Sequence, residues 1–334
     1  MGLAFPERYG GADGSLLDLA ILLEEMGRAC LPGPFFSTVV IGGLTILAAG
    51  SEQLKQAFLP RIARGELILA LALAESTGEC EASGIATHAV PDGNGYVING
   101  KKLFVGDAHV ADYILCAART RESALPEEGI TLFLVNANSP GVKSSVLETL
   151  GFDKQCQVVF CDVKTEGKMV LGKPNDGWST VERTLEQAAA ARCADMVGSA
   201  RAAFESAVSY AKTRVQYGHP IGSFQAIQHH CANMAVDIDG AALITYEAAW
   251  AIDQGLPQKA KLVSMAESWV GEACQRVTLL GHQIHGGISF CRDHNMHLYY
   301  RRVRAGALTL GDTVFHRRIV ARELLRESLV SSQG

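Results

Sequence analysis

The chain has 334 residues, 48% of them apolar and 19% charged, a balance that suits a large core and more than one packed unit. Its net charge of −5 offers no basic field to nucleic acid, and its longest apolar runs, near 67–74 and 39–49, are too short or too broken by glycine to span a bilayer. Met1 leads straight into Gly2-Leu3-Ala4-Phe5-Pro6 with no secretory pattern, and nine cysteines without a Cys-x-x-Cys spacing read as reduced thiols of a cytoplasmic protein rather than as a disulfide framework or a zinc site.

Residues 1–66 read as helical. Leu19, Leu22, Leu23 and Met26 recur at helical spacing behind Ser15 and Asp18, and further helices are predicted over 37–50 and 51–63. From 67 to about 170 the signals turn to β-structure. Residues 67–74 form a short apolar run, and Tyr96-Val97-Ile98, Asn99-Gly100 and 101–105 predict a hairpin, because Asn-Gly suits the positive φ of a type I′ turn. Residues 113–118, 130–135 and 157–163 are further strand candidates. The turn-rich run Gly172-Lys173-Pro174-Asn175-Asp176-Gly177 marks a boundary, after which long helices return. Phe204, Ala207, Val208 and Ala211 make one apolar stripe, and Met234, Ile238, Ala241 and Ala242 another. The order is α+β in three parts: helices over 1–66, a β domain over 67–171 and a helix bundle over 172–334.

Near the end, Gly286-Gly287 interrupts a helix-forming region, a basic and aromatic run follows over 294–304, and Leu310-Gly311-Asp312-Thr313 leads into a last helix over 314–325. Adjacent glycines let another group approach bare backbone; they also simply stop helices. His282, His285, His294, His297 and His316 cluster here without a convincing metal spacing, and read as half-buried histidines with backbone partners.

Four patterns stand out in order: Gly2-Leu3-Ala4-Phe5-Pro6-Glu7-Arg8-Tyr9-Gly10-Gly11; Ala74-Glu75-Ser76 with Ser83-Gly84-Ile85 and Ile98-Asn99-Gly100-Lys101-Lys102; Arg214-Val215-Gln216-Tyr217-Gly218 with Pro220-Ile221-Gly222 and Phe224-Gln225-Ala226-Ile227-Gln228; and Gln283-Ile284-His285-Gly286-Gly287. Together they resemble the acyl-CoA dehydrogenase family over essentially the whole chain. The resemblance implies an N-terminal helical domain, a middle β-barrel-like domain and a C-terminal four-helix bundle that makes oligomers. It implies FAD as cofactor, an acyl-CoA thioester as substrate and an electron-transfer protein as acceptor, in fatty-acid or sterol side-chain oxidation. A carboxylate base removes the α-proton and flavin N5 accepts the β-hydride. The family's opening loop normally lies a few dozen residues in, so the sequence reads as lacking the first helices.

By the same resemblance Arg214, with Gln216 and Tyr217, reaches the FAD pyrophosphate across a subunit interface, a task that suits the guanidinium fork. Gln283, Gly286 and Gly287 lie along a neighbour's FAD, and Gln225 and Gln228 open a glutamine-containing helix; a solvated helix end, a helix break and surface polar residues are the plainer readings. The flavin-ring side departs from the pattern. Its Thr-Glu-Pro-x-x-Gly-Ser-Asp-like loop is here 74–81, with Ala74 for the threonine and Cys80 for the serine that borders the substrate. Phe104-Val105-Gly106 stands where the family has Trp-Ile-Thr/Ser, leaving a smaller ring and one hydroxyl fewer. The base departs furthest: Leu310 occupies the usual glutamate position, and Ala188 the alternative one. Glu186 and Asp312 are the nearest carboxylates; Asp312 is either a relocated base or a helix N-cap. Arg301, Arg302, Arg304, Arg317 and Arg318 could meet CoA phosphates or form a solvated face. Three functions are compatible with these residues. One is a base-lacking subunit of a heteromeric acyl-CoA dehydrogenase, which 285–299 resembles; another is a homo-oligomer using Asp312; the third is a flavin-free scaffold.

Overall fold

A computed structural model describes residues 1–76 and 80–331 of the chain. Its helices are α1 (Leu16–Arg28), α2 (Leu44–Ala49), α3 (Glu52–Ala63), α4 (Trp178–Thr213), α5 (Gln225–Asp253), α6 (Lys259–His285), α7 (Met296–Gly306) and α8 (Thr313–Ser331). Its strands are β1 (Leu69–Ala72), β2 (His88–Asp92), β3 (Gly95–Gly106), β4 (Tyr113–Arg119), β5 (Ile130–Asn136), β6 (Val142–Val146), β7 (Gln155–Glu166), β8 (Val170–Leu171), β9 (Val215–Gln216) and β10 (His219–Pro220). The chain forms two compact units, Met1–Ser15 with Pro32–Ala188, and Leu16–Leu31 with Ala189–Gly334. Among the described residues no helix is long and apolar enough to cross a membrane.

The first unit is built on a sheet ordered β6-β7-β3-β2-β4-β5-β8, with β1 added in parallel to β4. Alternating residues of the long strands fill its core: Ile98, Val105, Ile114, Cys116, Phe133, Val158, Phe160 and Val163 are all buried. Two expectations change here. Asn99-Gly100 is not a turn: β3 runs straight through it as an irregularity in its pairing with β7, and Asn99 exchanges hydrogen bonds with Asp162 through its side-chain amide. The hairpin turn falls earlier, between β2 and β3 at Gly93 (φ 58°), so the strand beginning at Gly95 is long enough to pair with both neighbours. The predicted helix over 37–50 is a π-helix over Phe36–Gly43 followed by α2. Its glycine pair, Gly42-Gly43, is weak in α preference and packs directly on Leu69 and Phe5. In contrast, α3 starts where its sequence says, with Ser51 Oγ accepting from the Leu54 N–H at 3.3 Å.

The second unit holds α1, α5 to α8 and most of α4. Leu16, Leu19, Ala20 and Leu23 of α1 are buried, and its first N–H groups, from Leu16 and Leu17, donate to the Asp253 carboxylate at the end of α5. Helices α1 and α4 meet backbone to backbone. A Cβ on Gly27 would lie 2.0 Å from the Asp195 carbonyl oxygen, and one on Gly198 would lie 1.8 Å from that of Glu24. Beside this crossing Glu24 accepts from Arg201 and Tyr246.

Candidate active site

In the first unit, the loop before the site residues is tied down by a buried ion pair. Lys102 Nζ, fully buried, donates to Glu75 at 2.8 Å and to the Leu73 carbonyl at 3.0 Å; the same carboxylate accepts the Ala86 and Thr87 N–H groups. Burial pushes the Glu75 pKa up, but Lys102 and the Thr87 N–H outweigh it and hold the carboxylate below its ordinary value. Sequence reading missed this pair, although Lys102 sits on the same inward parity of β3 as Ile98. Thr77, Gly78 and Glu79 of the loop lie outside the described residues. Cys80 is half-buried, and burial raises its thiol pKa. Further along β3 the register with β7 slips between Lys102 and Val105, and Phe104 at the slip has a left-handed φ of 54°. A bulge re-aims the side chain it carries: the Phe104 ring is 57% exposed, the Val105 side chain is committed to the core, and Gly106 follows half-exposed.

In the second unit, α4 ends in a hairpin that the sequence reading did not anticipate. Strands β9 and β10 are joined through Tyr217 (φ 53°) and Gly218 (φ 80°), the paired positive φ values of a type I′ turn. Arg214 and Gln216 are exposed beside it, Tyr217 is 91% exposed and edge-on to Phe224, and the Arg214 guanidinium has no partner among the described residues. Gln225 is the exposed first residue of α5, whereas Gln228 is spent on the Gly222 carbonyl at 3.0 Å. The end of α6 adjoins this region: the His285 ring stacks on Tyr210 of α4, one turn before Arg214, at 4.7 Å. His285 Nδ1 donates to the Gly281 carbonyl at 2.8 Å and Nε2 lies 3.3 Å from the Ser206 hydroxyl; burial keeps the ring's pKa below the ordinary value.

Gln283 is exposed on the outer side of that last turn. Gly286 then adopts φ 66° and ψ −147°, a conformation open essentially to glycine alone. A Cβ on either Gly286 or Gly287 would meet no atom of the described residues within 4 Å. Internal packing therefore does not demand a glycine at 287. The bare backbone of Gly286-Gly287 leaves room for a group such as a bound cofactor to approach it closely.

The positions expected to carry a base hold none. Leu310 is half-buried with a left-handed φ of 69°, and Ala188 is fully buried in the other unit. Glu186 is half-buried. Asp312 Oδ1 accepts the Phe315 N–H at 2.8 Å, the geometry of an N-cap on α8. Just beyond, buried His316 faces Ser264, and burial lowers its pKa to about 4. The basic run is largely occupied within the chain: Arg302 forks onto Asp195 at 2.6–3.1 Å, Arg304 pairs with Gln275 and Arg317 with Glu272. One carboxyl was overlooked. Glu267 of α6 is buried beside Cys193 and Arg192, and burial lifts its pKa to about 8. Its signal was legible, since it occupies a core position in the spacing Val263, Ala266, Val270, Ala273, Cys274.

Three family models match the chain: acyl-CoA dehydrogenase, N-terminal domain, over residues 1–66; middle domain, over 70–163; and C-terminal domain, over 175–325. The 3-(aryl)acrylate reductase of Clostridium sporogenes (strain ATCC 15579) is 33% identical over 331 residues, spanning 97% of this chain and 87% of that one. Butyryl-CoA dehydrogenase from Megasphaera elsdenii has the same fold, with a TM-score of 0.92 at 28% identity over 97% of this chain and 86% of its own. An FAD-dependent dehydrogenase of known structure gives a TM-score of 0.92 at 27% identity, over 97% and 89%.

Proposed function

The chain belongs to the acyl-CoA dehydrogenase family, and from that premise we propose that it is an FAD-dependent oxidoreductase of an acyl-CoA Cα–Cβ bond, serving as the subunit whose usual carboxylate is supplied by a homologous partner chain. The observation that carries the partner's role is the side chain at 310. Removal of a thioester α-proton requires a positioned acceptor, and leucine has none to offer. Asp312, two residues on, is engaged in capping α8 through its short side chain.

FAD, once bound, supplies the acceptor for the β-hydride. Arg214 would hold the pyrophosphate across a subunit interface, its guanidinium being exposed and without a partner among the described residues, with Gln216, Tyr217 and Gln225 beside it. Gly286-Gly287 with Gln283 would border a neighbour's cofactor through bare backbone. Phe104, turned outward by its bulge, and Gly106 would face the flavin ring, and Cys80 would adjoin the substrate. An electron-transfer protein is the redox partner in this scheme. The similarity to 3-(aryl)acrylate reductase favours a second reading, in which the C=C bond of an α,β-unsaturated acyl group is reduced and the missing carboxylate becomes the proton donor to Cα.

The test is purification of the chain alone and with a glutamate-bearing homologue, measuring flavin content and acyl-CoA turnover in each. The chain alone should turn over about 10²–10⁴-fold more slowly than the pair, and Leu310→Glu should restore part of that rate. Brisk turnover by the chain alone, abolished by Asp312→Asn, would make Asp312 the base and end the heteromer proposal. Absence of flavin from every preparation would leave the scaffold reading.

A further inference from the structure

The Gly286-Gly287 backbone is held by side chains behind it. The Gly286 N–H donates to the His282 carbonyl, and the Gly286 carbonyl accepts the Ser289 hydroxyl at 2.7 Å, with the His282 carbonyl a longer alternative acceptor at 3.4 Å. With its proton so used, Ser289 Oγ is left to accept, and His282 Nδ1, 2.9 Å away, donates to it. The His282 ring is fixed in turn. It stacks on Phe290 with centroids 4.9 Å apart and meets Tyr300 edge-on at 5.5 Å. Ser289 and His282 are both buried, so water does not compete for these bonds.

We propose that Ser289 and His282 are positioning residues for the cofactor: the relay from the His282 ring through Ser289 to the Gly286 carbonyl locks the peptide between Gly286 and Gly287 in one orientation. The proposal rests on the reading that these glycines border FAD. Two adjacent glycines sample more backbone conformations than any other pair, and neither is braced by packing on its Cβ side. Ordering them at the moment of binding would cost affinity; a preformed clamp removes that cost beforehand.

The experiment titrates FAD into apoprotein, in the oligomer the chain forms, and follows flavin fluorescence. Ser289→Ala should weaken FAD binding about two- to tenfold, the range expected for one hydrogen bond. His282→Phe keeps the stack on Phe290 but lacks the Nδ1 donor, and should weaken binding equally. His282→Asn, whose amide nitrogen takes the place of Nδ1, should bind as the wild type does. A merely structural role would follow ring size instead, with Phe tolerated and Asn not, and that result overturns the proposal. Gly287→Val separates the two levels of inference, because its side chain enters open space in the folded chain. Loss of FAD from Gly287→Val with wild-type affinity in Ser289→Ala overturns the clamp and leaves the cofactor placement standing. Wild-type affinity in Gly287→Val overturns the placement and the clamp with it.

Discussion

Replacing Glu267 by glutamine should flatten the dependence of stability on pH. Glu267 lies inside the second unit with Cys193 and Arg192 as neighbours, and Oε1 has no hydrogen-bond partner among the described residues. Burial raises its pKa from an ordinary 4.5 to about 8; Arg192, and then a hydrogen bond from Cys193, oppose the rise without cancelling it. The sign follows from linkage. Below pH 4.5 the carboxyl is neutral in both the folded and the unfolded chain, and its contribution is constant. Between 4.5 and about 8 the unfolded chain ionises it and the folded chain does not, so stability falls by about 1.4 kcal/mol for each pH unit. Across the whole window the loss is of the order of 5 kcal/mol, and above about pH 8 it levels off. Glutamine keeps the shape and cannot ionise. The assay is chemical denaturation of wild type and Glu267→Gln from pH 5 to pH 8.5 at fixed ionic strength. Other titrating groups act equally on both proteins, so the difference between them isolates this site. The variant should match the wild type or fall slightly below it at pH 5, and exceed it by a few kcal/mol at pH 8. Parallel curves over that range would refute a neutral, buried Glu267.

Arg214→Ala should weaken FAD retention by about ten- to a hundredfold, the value of a charge-assisted bond to phosphate, measured by flavin absorbance after exhaustive dialysis; undiminished occupancy would count against its pairing with the pyrophosphate. Lys102→Met should lower unfolding free energy by about 3–5 kcal/mol in urea, because it strands the Glu75 carboxylate in the β domain without its counter-charge. Adding Glu75→Gln to that variant should recover much of the loss, and a double variant no more stable than Lys102→Met would show that the pair is not the source.

Much of this protein was readable from local chemistry. The apolar periods of α1, α4 and α5, the start of α3 near Ser51, the Asp312 cap and the β segments from 113 to 163 depend on residues within a few positions of one another, and such signals survive whatever the chain later packs against. The four motifs, and the leucine where a carboxylate was expected, were equally visible, because identity at a position needs no coordinates. Tertiary structure decided the rest. Asn99-Gly100 has the composition of a turn, but β7 offered a long strand to pair with, and the gain in ladder bonds carried β3 through it. Nothing local marks Gly27 and Gly198, 171 positions apart in the chain, as the places where α1 and α4 touch backbone to backbone. The charge state of Glu267, the ion pair of Lys102 with Glu75 and the clamp on Gly286 all depend on distant groups and on the exclusion of water. A sequence names the ionisable and hydrogen-bonding groups; how dry their surroundings are, and which partner lies within 3 Å, is settled only when the chain has folded around them.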